Sequence, residues 1–309
     1  MALPGGSLTG VTTISNLVQT AYDQYVRMAL RSIPVMRAIA DVKPVQQAMP
    51  GSSVVFSIYS DLSAATSTLT ETLDVSSIAL GNPSQVTVTL NEYGSAVTTT
   101  KKLNLTSFND VDAALADIIA YNAADSIDQV VAGVLTAGNN VIYAGTTATT
   151  TSGITAADTI SVADIREAVV QLRTNKAVPR IGELYAAYLH PRQSADLRAE
   201  SGTGGFQELT KYVERTPFVA GAVGVLEGAF IVETPRVPFA SNGTTNVYKA
   251  VVAGREALAE AMAQDISTVI GPEIDALRRF RTIGWYYFGG FNRLREAALY
   301  RIESAASIS

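Results

Sequence analysis

The sequence predicts an α+β fold, and three observations carry that expectation. Two segments, "SSVVFSIYS" and "QVTVTLNEYGSAVTTTKKL", alternate apolar and polar residues with the period of half-buried strands. One Ala-rich run, "VDAALADIIAYNAADSIDQVVAGVLTAG", has the length and composition of a single long helix ending at Gly138. The C-terminal half then returns to strand-like runs, among them "LYAAYLHP", "NVYKAVVAGREALAEAM" and "RRFRTIGWYYFGGFNRLREAALYRIES", with no internal repeat.

With 309 residues, 47% hydrophobic and 17% charged, the chain is globular and has room for one large domain or two ordinary ones. No apolar run approaches the length needed to span a bilayer, so no membrane is expected. "MALPGGSLTG" lacks the basic segment and apolar stretch of a signal peptide, which reads as synthesis in the cytosol. The absence of cysteine excludes disulfides, thiolate metal sites and cysteine nucleophiles. The net charge of -5 is unevenly spread. Residues 1–43 carry +2, residues 44–165 carry -9 with only Lys101 and Lys102 as cations, and residues 166–309 carry +2.

The elements follow in order. Residues 13–40 have helix-forming composition, but Pro34 interrupts them and Pro44 and Pro50 follow, so a broken helix and an extended arm are expected. The two alternating segments then read as the arms of a long β-hairpin, with Pro50, Gly51 and Gly94 as hinges at its base. In the second arm Val86, Val88 and Leu90 share one face. The stretch between the arms is mostly Ser, Thr, Ala, Asp and Glu, with Leu62, Leu69, Leu73, Val75, Ile78 and Leu80 thinly scattered, so it builds no core. The cover for the apolar face must come from elsewhere.

Thr106 or Ser107 can cap the long helix. At about 100° per residue, Asp110, Asp117, Asp125 and Asp128 fall in one narrow sector, with Ile119, Val130 and Val134 on the far side. One anionic, solvated face and one packing face are expected. A Thr/Gly-rich connection leads to an amphipathic helix with Ser161 or Asp164 near its start. A buried strand ending at His190-Pro191, the helix "RQSADLRAE", the loop "SGTGG" and the turn and strand of "VGVLEGAFIVETPRVP" follow.

The search for chemistry finds little. His190 is the single histidine, and a structural role at a strand end outweighs that of a general base, because no G-x-S-x-G elbow offers a serine to activate. Zinc lacks its His and Cys ligands, and "NDVDAA" lacks the remaining ligands of a calcium loop. "SGTGGF" has no following Lys-Ser/Thr, and "GAVGVLEG", with Gly221, Gly224 and Gly228, has the wrong spacing for a dinucleotide fingerprint. Arg278, Arg279, Arg281, Arg293, Arg295 and Arg301 cluster near the C-terminus, with a solvated or subunit-pairing face as the default reading. No catalytic residue, cofactor or metal is expected.

Several stretches together resemble the major capsid proteins of tailed bacteriophages, which share the Hong Kong 97 fold: "LTETLDV", "VTVTLNEYGSAVTTTKKLNLTSF", "LHPRQSADLRAE", "VGVLEGAFIVETPRVP" and "TIGWYYFGGFNRLREAALYRIES". The resemblance implies an N-terminal arm (1–50), an extended β-hairpin loop (51–102), a spine helix in a peripheral domain (103–138), a mainly axial domain (139–270) and C-terminal strands returning to the peripheral domain (271–309). It implies hexamers and pentamers of this chain in an icosahedral virion shell around double-stranded DNA, assembled in the host cytoplasm with a portal, a separate scaffold protein and sometimes a decoration protein. The loop of such a capsid lies over a neighbour, so Val86, Val88 and Leu90 would be covered by another copy. Residues 51–100 contain neither Lys nor Arg, so no lysine cross-link from the loop is expected.

The charge blocks add an expectation of their own: Glu71 and Asp74 of the loop meet Arg278, Arg279, Arg281 and Arg293 of a neighbour. The aspartate sector either faces the shell interior, keeping DNA off the wall, or is an ordinary solvated helix face. An encapsulin-like enzyme compartment, a nucleotide-binding enzyme and a tail or surface-layer subunit are the alternative readings.

Overall fold

The computed structural model describes residues 34–44, 52–69, 71–72, 74–75, 77–106, 111–145, 148–200, 222–273 and 275–308. Pro50, Gly51, Leu73, Ser107, Asp110, Gly221, the "SGTGG" loop and the part of the expected broken helix up to residue 33 lie outside the described residues. Seventeen elements follow in chain order. They are β1 (Ala40–Pro44), β2 (Ser53–Ile58), β3 (Ser84–Thr89), β4 (Asn91–Thr100), α1 (Lys101–Thr106), α2 (Val111–Thr136), β5 (Val141–Tyr143), α3 (Val162–Thr174) and β6 (Tyr185–Leu189). Then come α4 (Pro191–Ala199), β7 (Ala222–Leu226), β8 (Ala229–Glu233), β9 (Phe239–Ser241), β10 (Asn246–Ala253), β11 (Leu258–Ile270), β12 (Phe280–Arg293) and β13 (Leu299–Ser304).

The larger sheet runs β5-β13-β10-β6-β8-β7, with β9 added to β10. Its central strand β6 is buried at all five positions, the mark of a strand covered on both faces. Tyr185, Ala187 and Leu189 pack with Ile165, Val169 and Leu172 of α3. Ala186 and Tyr188 pack on the other side with Val131 and Leu135 of α2 and with Met36 and Ile39 of the N-terminal segment. Ser161 and Asp164 cap α3 reciprocally, as the sequence suggests.

The smaller sheet runs β1-β11-β12-β4, with β1 parallel to β11 and the other pairs antiparallel. Ile283, Trp285 and Tyr287 of β12 pack against Leu115, Ile119, Ala123 and Ile127 of α2. The spine helix therefore leaves the smaller sheet and reaches the larger one along its own length. Its C-terminal carbonyls are covered by arginines: Arg301 donates to those of Thr136 and Gly138, and Arg293 to that of Val134.

Two expectations about sequence order change here. β11, placed with the axial strands on sequence, pairs with β12 in the smaller sheet. β13, placed with the peripheral strands, joins β10 in the larger sheet. The second hairpin arm also divides at Leu90: Ser84–Thr89 pairs with β2, whereas Asn91–Thr100 pairs residue for residue with β12. Finally, Thr106 is no helix cap. The chain turns helical already at Lys101, where the Thr100 hydroxyl accepts the Leu103 N–H, and the Thr106 hydroxyl bonds back to Lys102 inside the same short helix.

Candidate functional site

The β2–β3 hairpin is covered by its own chain. Val54, Val88 and Leu90 form one buried cluster with Ala259 and Ala261 of β11, and Phe56, Phe288 and Leu294 close over it. Val88 is 0% exposed, so the expectation that a second copy covers Val88 and Leu90 is corrected; Val86, opposite Phe56, is half-buried. The cover was missed because it comes from strands some 170 residues away that period-two alternation does not identify. Glycine makes the approach possible: a Cβ at Gly290 would collide with the Thr89 carbonyl oxygen. The Asn292 amide then donates to the Thr87 carbonyl at 2.9 Å.

The uncovered apolar surface lies beyond the hairpin. Among the described residues of 59–83, Tyr59, Leu62, Leu69, Val75, Ile78 and Leu80 are all exposed, Leu69 at 78%. Their neighbours Asp61, Glu71 and Asp74 are exposed as well. The two legs still run side by side near the hairpin, where a Cβ on Gly81 would meet Ser60 Oγ at 3.9 Å.

The proposed cationic partners separate into two places. Arg278, Arg279 and Arg281 sit exposed at the turn joining β11 to β12, with Arg279 Nε 2.6 Å from the Asp275 carboxylate. Arg293 is removed from that group: it lies at the opposite end of β12, 2.8 Å from Glu296, and bonds the end of α2. Sequence reasoning missed Lys101 and Lys102, which take its place. The Lys101 N–H donates to the Arg279 carbonyl at 2.8 Å and seats α1 beside the cationic turn. Their being the only cations of the acidic block was the available signal.

The aspartate sector is also corrected. Asp128 is fully buried and accepts N–H groups from Val35, Met36 and Arg37 at 3.4, 2.7 and 3.1 Å, with Arg236 Nη1 at 3.4 Å. Arg236 Nη2 also reaches Asp125 at 2.7 Å, which makes Asp125 half of an ion pair, while Asp117 is exposed. The reason is geometric. Along α2 the buried positions Leu115, Ile119, Ala123, Ile127, Val131 and Leu135 recur at every fourth residue, joined in the second half by Asp128, Ala132 and Thr136. Each step advances about 40° around the helix, so the buried stripe turns through about 200° from Leu115 to Leu135. A sector that is solvated at Asp117 is interior at Asp128.

His190 occupies the N-cap of α4. Its Nδ1 accepts the Arg192 N–H at 3.2 Å, its own N–H donates to Gln193, and its ring lies 4.6 Å from that of Tyr248. Burial, and secondarily the Arg192 charge, hold its pKa below the usual 6.5. As pH falls through 6.5 the unfolded chain takes up a proton that the folded chain resists, so stability declines in that window and the decline ends at the folded pKa. The single histidine allows a direct check: its NMR titration in the unassembled subunit should lie below 6.5, and His190→Asn should remove this part of the acid sensitivity. A midpoint at or above 6.5 would contradict the burial.

The glycine run at Gly224 and Gly228 serves a hairpin. Glu227 and Gly228 both have positive φ, 50° and 86°, as the tight turn from β7 to β8 requires, and Gly224 sits at a register shift in that pair. Among the described residues no group of three or more His, Asp or Glu is placed to hold a metal, and no helix is long and apolar enough to cross a membrane.

Comparison with known proteins gives this geometry its context. A family model described as phage capsid protein matches residues 15–308. Among solved structures, the capsid of Ralstonia phage GP4 superposes with a TM-score of 0.78 at 15% identity, covering 97% of this chain and 98% of that one. The head of Helicobacter pylori bacteriophage KHP40 gives 0.72 at 14% identity, covering 97% and 99%. The capsid of cyanophage Pam1 gives 0.71 at 13%, covering 96% and 98%. A search of curated proteins returned no match. A fold shared end to end with these capsids, together with a family model spanning nearly every residue, places the chain in the phage capsid protein family, as a structural major capsid protein.

Proposed function

We propose that copies of this chain form rings of five and six that close an icosahedral shell around double-stranded DNA. The shell is assembled in the host cytoplasm on a separate scaffold protein, is entered through a portal, and in some states carries a decoration protein. The observation that carries this reading is the loop of residues 59–83, whose described residues present six large apolar side chains to solvent and belong to no buried cluster of their own chain. Ordering such a loop costs about 1–2 kcal/mol per residue, and each large side chain recovers roughly 1.5–3 kcal/mol only when buried. A second copy supplies that burial, and a head-to-tail contact of this kind closes into rings when its rotation permits.

Glu71 and Asp74 then approach Arg278, Arg279 and Arg281 of the neighbour. Exposed pairs of this kind contribute about 0–1 kcal/mol each, so they register the loop more than they hold it. Electron microscopy of the purified chain, alone and with its scaffold, tests the reading: closed shells with five-fold and six-fold rings are expected. Tubes or open sheets would overturn it, and shells filled with protein cargo in place of DNA would turn it toward an enzyme compartment.

A further inference from the structure

The four sheet edges differ in how well they are protected against pairing with another chain. β1 is five residues long and ends in Lys43-Pro44; β5 and β7, at the edges of the larger sheet, are three and five residues long. Short length, lysine and proline are the usual devices that keep an edge from being extended. β4 has none of them. It is ten residues long and contains no Pro, Lys or Arg. It is paired with β12 at every position without a bulge, and on its other edge it has no strand partner among the described residues. Nine of its ten residues are not buried, and of these only Glu92, at one end, is charged, whereas Lys101 and Lys102 follow directly at the other.

The returning leg of the loop has the complementary deficiency. Its described residues from 74 to 83 belong to no helix, strand or turn. Val75, Ile78 and Leu80 are exposed, and its one carboxylate, Asp74, lies at its N-terminal end, three residues after Glu71 in the turn where the outgoing leg ends. From Val75 to Pro83 no further charge occurs.

We infer that the returning leg, Asp74–Gly81, of one copy adds as an antiparallel strand to the bare edge of β4 on a second copy. The inference rests on the loop-to-neighbour reading above and names the surface that receives the loop. Charge sets the direction. With the leg antiparallel to β4, Asp74 arrives beside Lys101 and Lys102, and the uncharged end passes Glu92. The outgoing leg in the same orientation would bring Glu71 toward Glu92, and a parallel returning leg would set Asp74 against it. Antiparallel pairing joins two rows of unpaired backbone donors and acceptors. It also sets the leg's apolar side chains alongside the exposed Val97, Leu103 and Leu105.

The chain contains no cysteine, so engineered pairs report cleanly. Ala96→Cys on β4 is combined in turn with Ser77→Cys, Ile78→Cys, Ala79→Cys and Leu80→Cys, and shells are assembled reduced and then oxidised. Cross-strand Cα atoms in such a ladder lie about 4.5–5.5 Å apart, within the span of a disulfide. Expected is one strongly linked position on denaturing gels, the residue directly opposite 96, with its immediate sequence neighbours, whose side chains point to the other face, unlinked. Normal shells in which no loop position links to residue 96, or in which adjacent positions link equally, overturn the strand pairing while leaving the shell reading intact. Failure of the parent chain to form shells under any scaffold condition overturns the shell reading itself, and the pairing with it.

Discussion

Asp128→Ala should destabilise the subunit by about 3–5 kcal/mol, the range found when one partner of a buried ion pair is removed. The Asp128 carboxylate has no access to solvent and receives three consecutive main-chain N–H groups from Val35 to Arg37, as well as one arm of Arg236. Alanine leaves those donors without the acceptor they share and takes from Arg236, only 6% exposed, one of its two carboxylate contacts, that to Asp125 staying in place. The damage should spread along the N-terminal segment. Residues 36–39 form a single 3₁₀ turn that leads straight into β1, and Arg37 also carries the bidentate contact to buried Glu260. Asp128→Asn should cost less, since an amide oxygen still accepts from the turn while its NH₂ faces Arg236. Asp117→Ala, at an exposed site on the same helix, should cost no more than about 1 kcal/mol, the range of exposed ionic contacts. Urea unfolding of unassembled subunits measures all three. A loss below about 1 kcal/mol for Asp128→Ala would mean that the turn finds other acceptors.

That contrast between Asp117 and Asp128 also marks how far the sequence could be read. What depends on neighbours in the chain was legible: the buried run of β6, the helix that follows Pro191, the capping box of α3 and the tight turn at Glu227-Gly228 all have local causes in periodicity and turn chemistry. What depends on remote partners was not. Alternation tells which residues of Gln85–Thr100 share a face but not that the run changes partner at Leu90, from β2 to β12. A fixed angular sector places Asp128 beside Asp117, yet burial follows a stripe that winds around α2 as the helix moves from one sheet to the other. The charge partner of Asp128 lies 108 residues away, and no spacing rule joins them. For the candidate site, the excess of apolar side chains over core in residues 61–84 was visible in composition. Which of the nearby strands was already covered was a tertiary fact, and it moved the uncovered surface from Val88 and Leu90 to the loop.

Replacing residues 59–83 with Asn-Gly should abolish shells while leaving the subunit folded, the larger of the two functional effects expected from any single change. The replacement is set by the register. Ile58 and Ser84 are directly paired, so a two-residue turn of the kind Asn-Gly adopts closes the hairpin without shifting it. Among the described residues of 59–83 no side chain belongs to a buried cluster, and the hairpin keeps its own anchorage through Val54, Val88 and Leu90. Shortening the connection lowers the entropic cost of closure by about 2 kcal/mol in the logarithmic loop model, so thermal or urea stability should hold or rise. Assembly should nevertheless fail, because the apolar side chains proposed to be buried by another copy leave together with Glu71 and Asp74, the carboxylates proposed to register them. Sedimentation velocity should show only subunits or single small rings where the parent chain gives shells. Two results decide the matter. Unfolded protein would show that the loop contributes to the subunit's own core, against its exposure, and normal shells would show that copies are held together through the body of the two sheets, with the loop an ornament on their surface.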